Sequence, residues 1–281
     1  MNTPLSPSEQ IAHSTVRIEV ILHTGESATG TGFIYRFAQN GDQHIPAVVT
    51  NKHVIQNARS GSFHITLADQ FGMPDYDKKE IFSFDNFENF WVMHPDPNVD
   101  LCAMPIAPLL TKADEEGQKL FYVPLDSTLI PTDEELKDMT ALEDIVMVGY
   151  PNGIWDEKHN MPVFRRGITA THPNLDWNGN SEFLIDAACF PGSSGSPVFL
   201  FNLVGYATKS KGMQLGGGRI KLLGVLYAGP QHTVTGDIQI IKVPTLEKPV
   251  SIQSIPNNLG MVIKSKNLIA LENMLKKISN N

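Results

Sequence analysis

The chain has 281 residues, 41% hydrophobic and 19% charged, a balance that fills a core without disulfide staples and excludes wholesale disorder. Its net charge of −8 excludes nucleic-acid binding as its main work, since that needs a positive surface. The two cysteines, Cys102 and Cys189, are too few for a disulfide framework, and no run approaches the roughly 18 apolar residues of a membrane span.

Runs of β-branched and aromatic residues bounded by turn formers predict strands at 16–22, 31–37, 47–50, 63–67, 82–84, 90–93 and 101–106. The stretch 105–144 is more acidic, and Pro131-Thr132-Asp133-Glu134-Glu135 has the pattern of a helix N-terminus. It is expected to join two β units, with 111–144 as linker between a unit over 1–110 and another over 145–260. Strands resume at 145–149, 166–170, 183–187, 198–201, 204–208, 221–226 and 237–243, with a flexible hairpin loop over 210–219. Only the tail shows helical spacing. Leu268, Leu271, Leu275 and Ile278 share one face of a helix over 266–278, inside a C-terminal helical segment at 261–281. The expected fold class is all-β, two packed units with a single C-terminal α-helix.

Three local patterns carry chemistry. Val48-Val49-Thr50-Asn51-Lys52-His53-Val54-Ile55 is a strand ending at a histidine. Asn98-Val99-Asp100-Leu101-Cys102-Ala103-Met104 sets an aspartate before an apolar strand. Phe190-Pro191-Gly192-Ser193-Ser194-Gly195-Ser196-Pro197 frames a serine between glycines. A serine hydroxyl is a poor nucleophile at neutral pH. It needs a histidine in reach, and that histidine needs an acceptor to fix its tautomer. It also needs amides aimed at the developing oxyanion, here the N–H groups of Gly192 and Ser194. Each pattern alone is more often a turn or a strand edge. Together, in the order His53, Asp100, Ser194, they meet the needs of acyl transfer. The histidine and aspartate fall in the first unit and the serine in the second, so the site is expected in the cleft between them.

These segments resemble the chymotrypsin/trypsin-like serine peptidase superfamily, nearest its bacterial Deg/HtrA-like branch. The resemblance rests on Gly30-Thr31-Gly32-Phe33, on Thr50 to Val54, on Asp100 to Ala103, on Gly192 to Pro197, on Val148-Gly149-Tyr150-Pro151-Asn152-Gly153 and on Gly224-Val225-Leu226. It covers about 14–230. It implies two six-stranded β-barrels with peptide-bond hydrolysis through an acyl-enzyme between them, by His53 as general base, Asp100 as its orienting acid and Ser194 as nucleophile. By the same resemblance Ala188 lies at the floor of the primary substrate pocket, and Tyr227 and Gly229 line its wall. Alanine offers no charge to a basic side chain, so a small or apolar substrate residue is expected there. Tyr227 departs from the small polar residue usual at its position. Ser193 stands where many secreted relatives carry an aspartate that pairs with a freed N-terminal ammonium, so activation by N-terminal cleavage is not expected.

Other readings fit less well. The Ser194 frame lacks the fifth-position glycine of an α/β-hydrolase elbow, and no histidine follows a suitable aspartate downstream. The remaining histidines have no paired spacing, so no metal and no cofactor is expected. Gly216-Gly217-Gly218-Arg219 lacks the Lys-Ser/Thr ending of a phosphate loop. Cys102 and Cys189 read as small buried hydrophobes. The expected partners are a polypeptide substrate and, where activity is gated, a regulatory protein or a homo-oligomer, with no nucleic acid and no membrane. The opening segment lacks a basic start followed by an apolar core, so the expected location is cytoplasmic. The rival of another class is a catalytically silent double barrel that binds peptides or scaffolds a complex.

Overall fold

The computed structural model describes residues 4–229, 231–234, 253–256 and 258–279. The first unit opens with α1 (Pro7–Ala12), closed by a reciprocal pair in which Ser6 and Glu9 bond each other's backbone amides. Its strands are β1 (Thr15–Leu22), β2 (Ser27–Asn40), β3 (Gln43–Thr50), β4 (Ala58–Ala68), β5 (Pro74–Asp85), β6 (Val92–Met93), β7 (Cys102–Pro105) and β8 (Leu120–Phe121). The one-turn helix α2 (Lys52–Ile55) follows β3. Alternation along β1 turns Val16, Ile18 and Val20 inward, where they meet Phe63, Ile65 and Phe87 in one core.

The sheet order is β5-β4-β1-β2-β3-β7-β6, with β8 on β4. Among the described residues this path does not close, because β5 and β6 do not pair. Of the segment expected as a strand over 90–93, Val92–Met93 forms β6, while Phe90 ends a 3-10 turn, Phe87–Phe90. Phe87, fully buried, lays its ring against Gly61 of β4. Among the described residues, the first of the two expected six-stranded barrels is therefore an eight-stranded sheet that does not close.

The connection between units is structured. Helix α3 (Ala107–Glu115) lies where the sequence predicts none, because the face it turns to the core, Leu109, Leu110 and Ala113, is only one turn long. Helix α4 (Asp133–Asp138) starts at the predicted place, capped by Thr132 and Glu135. Since β8 pairs with β4 and Arg36 donates its amide to the Leu125 carbonyl, 120–125 packs with the first unit.

The second unit comprises β9 (Asp144–Gly149), β10 (Val163–Thr169), β11 (Glu182–Asp186), β12 (Pro197–Asn202), β13 (Gly205–Thr208), β14 (Gly212–Leu215), β15 (Arg219–Ala228), β16 (Gln231–Val234), β17 (Gln253–Pro256) and β18 (Leu259–Lys264). Six of them close a barrel in the order β10-β11-β18-β15-β12-β9. Part of the expected 210–219 loop is β14, paired with β13. The strand expected over 237–243 lies outside the described residues. Strand β18 occupies the start of the segment expected as helical at 261–281, and α5 (Leu268–Ser279) begins after it.

Helix α5 packs on β2 and β6 of the first unit and joins the core that the two units share. Leu268, Leu271 and Leu275 are buried in a cluster that joins Phe33, Tyr35 and Val49 of the first unit to Val148, Phe199 and Val225 of the second. Ile278, on the same face, is exposed, because the stripe outruns the core beneath it. The chain is thus mostly β with one closed six-stranded barrel and a C-terminal helix. Among the described residues, no helix is long and apolar enough to cross a membrane.

Candidate active site

Strand β3 delivers the histidine. Its last residue, Thr50, is buried and donates its hydroxyl to the Thr31 carbonyl on β2 at 2.6 Å. Asn51 then leaves the sheet and starts α2, which lifts His53 to the surface. Both oxygens of Asp100 face that one residue. Oδ1 accepts the His53 backbone amide at 3.1 Å, and Oδ2 lies 2.5 Å from His53 Nδ1. Buried Asn51 donates its side-chain amide to the Asp100 carbonyl at 2.8 Å and fixes the aspartate's backbone. With Nδ1 committed to the carboxylate, Nε2 is the ring nitrogen left to face solvent or substrate.

The serine comes from a tight loop before β12. Gly195 donates its amide to the Leu226 carbonyl and Leu226 its own to Ser196, which ties the loop to β15. Thr31 of β2 grips the same loop from the other unit. Its amide donates to the Ser194 carbonyl at 2.8 Å, and its hydroxyl donates to the Gly192 carbonyl at 2.9 Å while accepting the Tyr150 amide at 3.1 Å. The structure therefore brings the loop of Ser194 against β2, the strand beside the one that carries His53. It does not bond Ser194 to His53. The Ser194 hydroxyl donates instead, at a long 3.5 Å, to the Tyr227 carbonyl.

The loop's geometry leaves two amides free. Gly192 has φ +85°, and a Cβ there would lie 2.6 Å from the Tyr150 carbonyl, so the position admits only glycine. The Pro191 carbonyl accepts the Asn152 amide at 2.6 Å. In a trans peptide the N–H points opposite the C=O, so Gly192 N–H is turned away from Asn152. Among the described residues, neither Gly192 N–H nor Ser194 N–H has a partner. Ser193 between them is buried, with its hydroxyl unpaired.

The residues expected to shape the substrate pocket gather around the end of β15. Gly229 is exposed, and a Cβ there would lie 3.6 Å from Cys189 Cβ, next to half-buried Ala188. Tyr227 offers its carbonyl to this place, while its phenol donates to Glu182 at 2.9 Å. Burial, then the Glu182 carboxylate, pushes that phenol well above its ordinary range. Burial also pushes the Cys189 thiol up to about 11 and raises Cys102, so both stay protonated, as small buried hydrophobes do. Sequence reasoning missed the supporting groups Asn51, Thr31 and Asn152. The Thr50-Asn51 pair ahead of His53 was the available signal for the first of them.

Residues 30–205, more than half of the chain, match the model of the trypsin-like peptidase domain. No curated protein matches the chain. Among solved structures it is similar to an HtrA-type protease, AlgW, with tripeptide, at 17% identity and a TM-score of 0.47, covering 96% of this chain and 62% of that one. It is similar to a serine endoprotease from Yersinia pestis at 17% identity and a TM-score of 0.46, covering 98% and 67%. It is also similar to the Rv3671c protease in its inactive form, at 16% identity and a TM-score of 0.42, covering 92% and 87%. The chain thus spans less than two thirds of the length of the first of these. Because the match to the domain model runs from β2, ahead of His53, to the start of β13, beyond Ser194, the chain belongs to the trypsin-like peptidase family.

Proposed function

We propose that the protein is a serine endopeptidase that hydrolyses peptide bonds of a polypeptide substrate through an acyl-enzyme. Ser194 Oγ attacks the scissile carbonyl and gives its proton to His53 Nε2. Asp100 holds Nδ1–H and stabilises the imidazolium that forms. The carbonyl oxygen, now negative, takes the two free amides of Gly192 and Ser194. The amine leaves with the proton from His53, and water repeats the sequence to release the acid. Ala188, Gly229 and the Tyr227 backbone border the place for the side chain ahead of the scissile bond.

The observation that carries this reading is the pairing of both Asp100 oxygens with His53, while two unpaired amides stand beside Ser194. A turn of the Ser194 side chain away from the Tyr227 carbonyl is the adjustment it requires; catalytic hydrogen bonds often tighten only with substrate bound. The same Ser194–Tyr227 bond favours a second reading, a silent double barrel that binds peptides without cleaving them. A fluorophosphonate probe separates the two. Labelling of the unmodified protein that disappears in Ser194→Ala supports the peptidase. No labelling, with peptide binding retained, supports the silent barrel.

A further inference from the structure

The β9–β10 connection, 150–162, belongs to the second unit by sequence but docks on the first. Its Trp155 lies under two cations of the first unit: Lys79 Nζ of β5 is 4.3 Å from the ring centroid and Arg17 Cζ of β1 is 5.3 Å away. The ring of His64, on β4, packs beside it at 5.2 Å. Both cations also bond the connection's backbone. Arg17 Nε donates to the Gly153 carbonyl at 3.1 Å and Lys79 Nζ to the Glu157 carbonyl at 2.7 Å. Between these anchors the chain makes a turn in which Asn152 and Gly153 both have positive φ, +52° and +69°. Asparagine and glycine are the residues that adopt this conformation most readily. This turn presents the Asn152 amide to the Pro191 carbonyl, and so sets which way Gly192 N–H points.

Resting on the serine-peptidase reading above, we infer that Arg17, Lys79 and Trp155 form a clamp that positions the Gly192 oxyanion donor from across the cleft. Ser193, buried and neutral, supplies no internal ion pair for that task. The clamp supplies the anchor instead. None of its three members touches substrate; they are positioning residues. The amide they aim belongs to one unit and the cations that aim it belong to the other. The donor is therefore in place only when the units are docked.

The Gly192 amide can be watched directly. Pro191-Gly192 is the only Pro-Gly pair in the sequence. Carbonyl-13C proline with 15N glycine therefore gives a single correlated amide signal. Trp155→Ala and Arg17→Ala are expected to shift or broaden it. They are also expected to slow fluorophosphonate labelling of Ser194 by roughly 10- to 100-fold, short of the 10²–10³ for loss of a whole oxyanion donor. The pH profile of labelling should keep its shape. Trp155→Phe keeps an aromatic face for the cations and should restore part of both signals. Lys79→Ala, at a half-exposed position, provides a variant that keeps its fold if the others do not, with the same signs and a smaller effect. A Gly192 signal unmoved in all three alanine variants overturns the clamp, whatever the labelling does. Absence of labelling in the unmodified protein sinks the peptidase reading instead, and the Gly192 signal still decides the clamp.

Discussion

Both carboxylate oxygens of Asp100 are directed at His53, one to its backbone and one to its ring, so this side chain sets the position and the tautomer of the imidazole together. Asp100→Asn has nearly the same shape but presents an amide N–H or a weaker acceptor to Nδ1. It should keep the fold and lower turnover on the order of 10⁴-fold, as measured by single-turnover hydrolysis or probe labelling with melting followed in parallel. His13 carries a different kind of consequence. It is buried with its ring edge-on to Phe121, and burial pushes it down to about 4. An unfolded histidine takes up a proton near pH 6.5. Between those values acid protonates only the unfolded chain, so stability present at neutral pH falls as pH drops. The loss is roughly 3 kcal/mol at the bottom of the window. His64 and His94, also lowered by burial, act with the same sign. Denaturant unfolding of His13→Phe should show a shallower decline from pH 6.5 to 4 than the unmodified protein.

At the scale of elements, α5 shows what an apolar stripe does near a chain end. Its face was readable from the spacing of Leu268, Leu271 and Leu275, but what it packs against was not. Those leucines are buried in a cluster shared by both units, while the helix itself lies on β2 and β6 of the first. Leu271→Ala removes a fully buried side chain from that shared cluster and should cost about 2–5 kcal/mol of unfolding free energy, read from denaturant midpoints. Ile278→Ala on the exposed end should cost far less, and equal losses at the two positions would show that the whole stripe is packed. Helix α3 shows the reverse case. Its inward face, Leu109, Leu110 and Ala113, spans one turn, too short a run to show a period. Of the strand predicted over 90–93 only Val92 and Met93 pair, with β7, because Phe90 ends the 3-10 turn whose first residue, Phe87, is buried in the core.

On the scale of the molecule, Thr31 is the joint. Its amide, hydroxyl and carbonyl bond Ser194, Gly192, Tyr150 and Thr50, and the first three lie in the other unit. Thr31→Val has nearly the same volume but leaves the Gly192 carbonyl and the Tyr150 amide unpaired in a buried place. Unfolding free energy should fall by about 1–3 kcal/mol for each group left unsatisfied, and Ser194 labelling should slow with it. A Thr31→Val protein with unchanged stability and labelling would mean that the cleft is held elsewhere. Local order along the chain was enough to name His53, Asp100 and Ser194 as candidates and to forecast strands, because chemistry-bearing residues and β-branched runs announce themselves within a few positions. It was also enough to place glycine at 192, where no side chain fits. Which unit closes as a barrel, which carbonyl Ser194 faces, and which cations reach Trp155 depend on contacts between residues dozens to more than a hundred positions apart. Such contacts are selected by shape and by the pairing of buried polar groups, neither of which leaves a periodic trace in the chain, so only the folded arrangement could decide them.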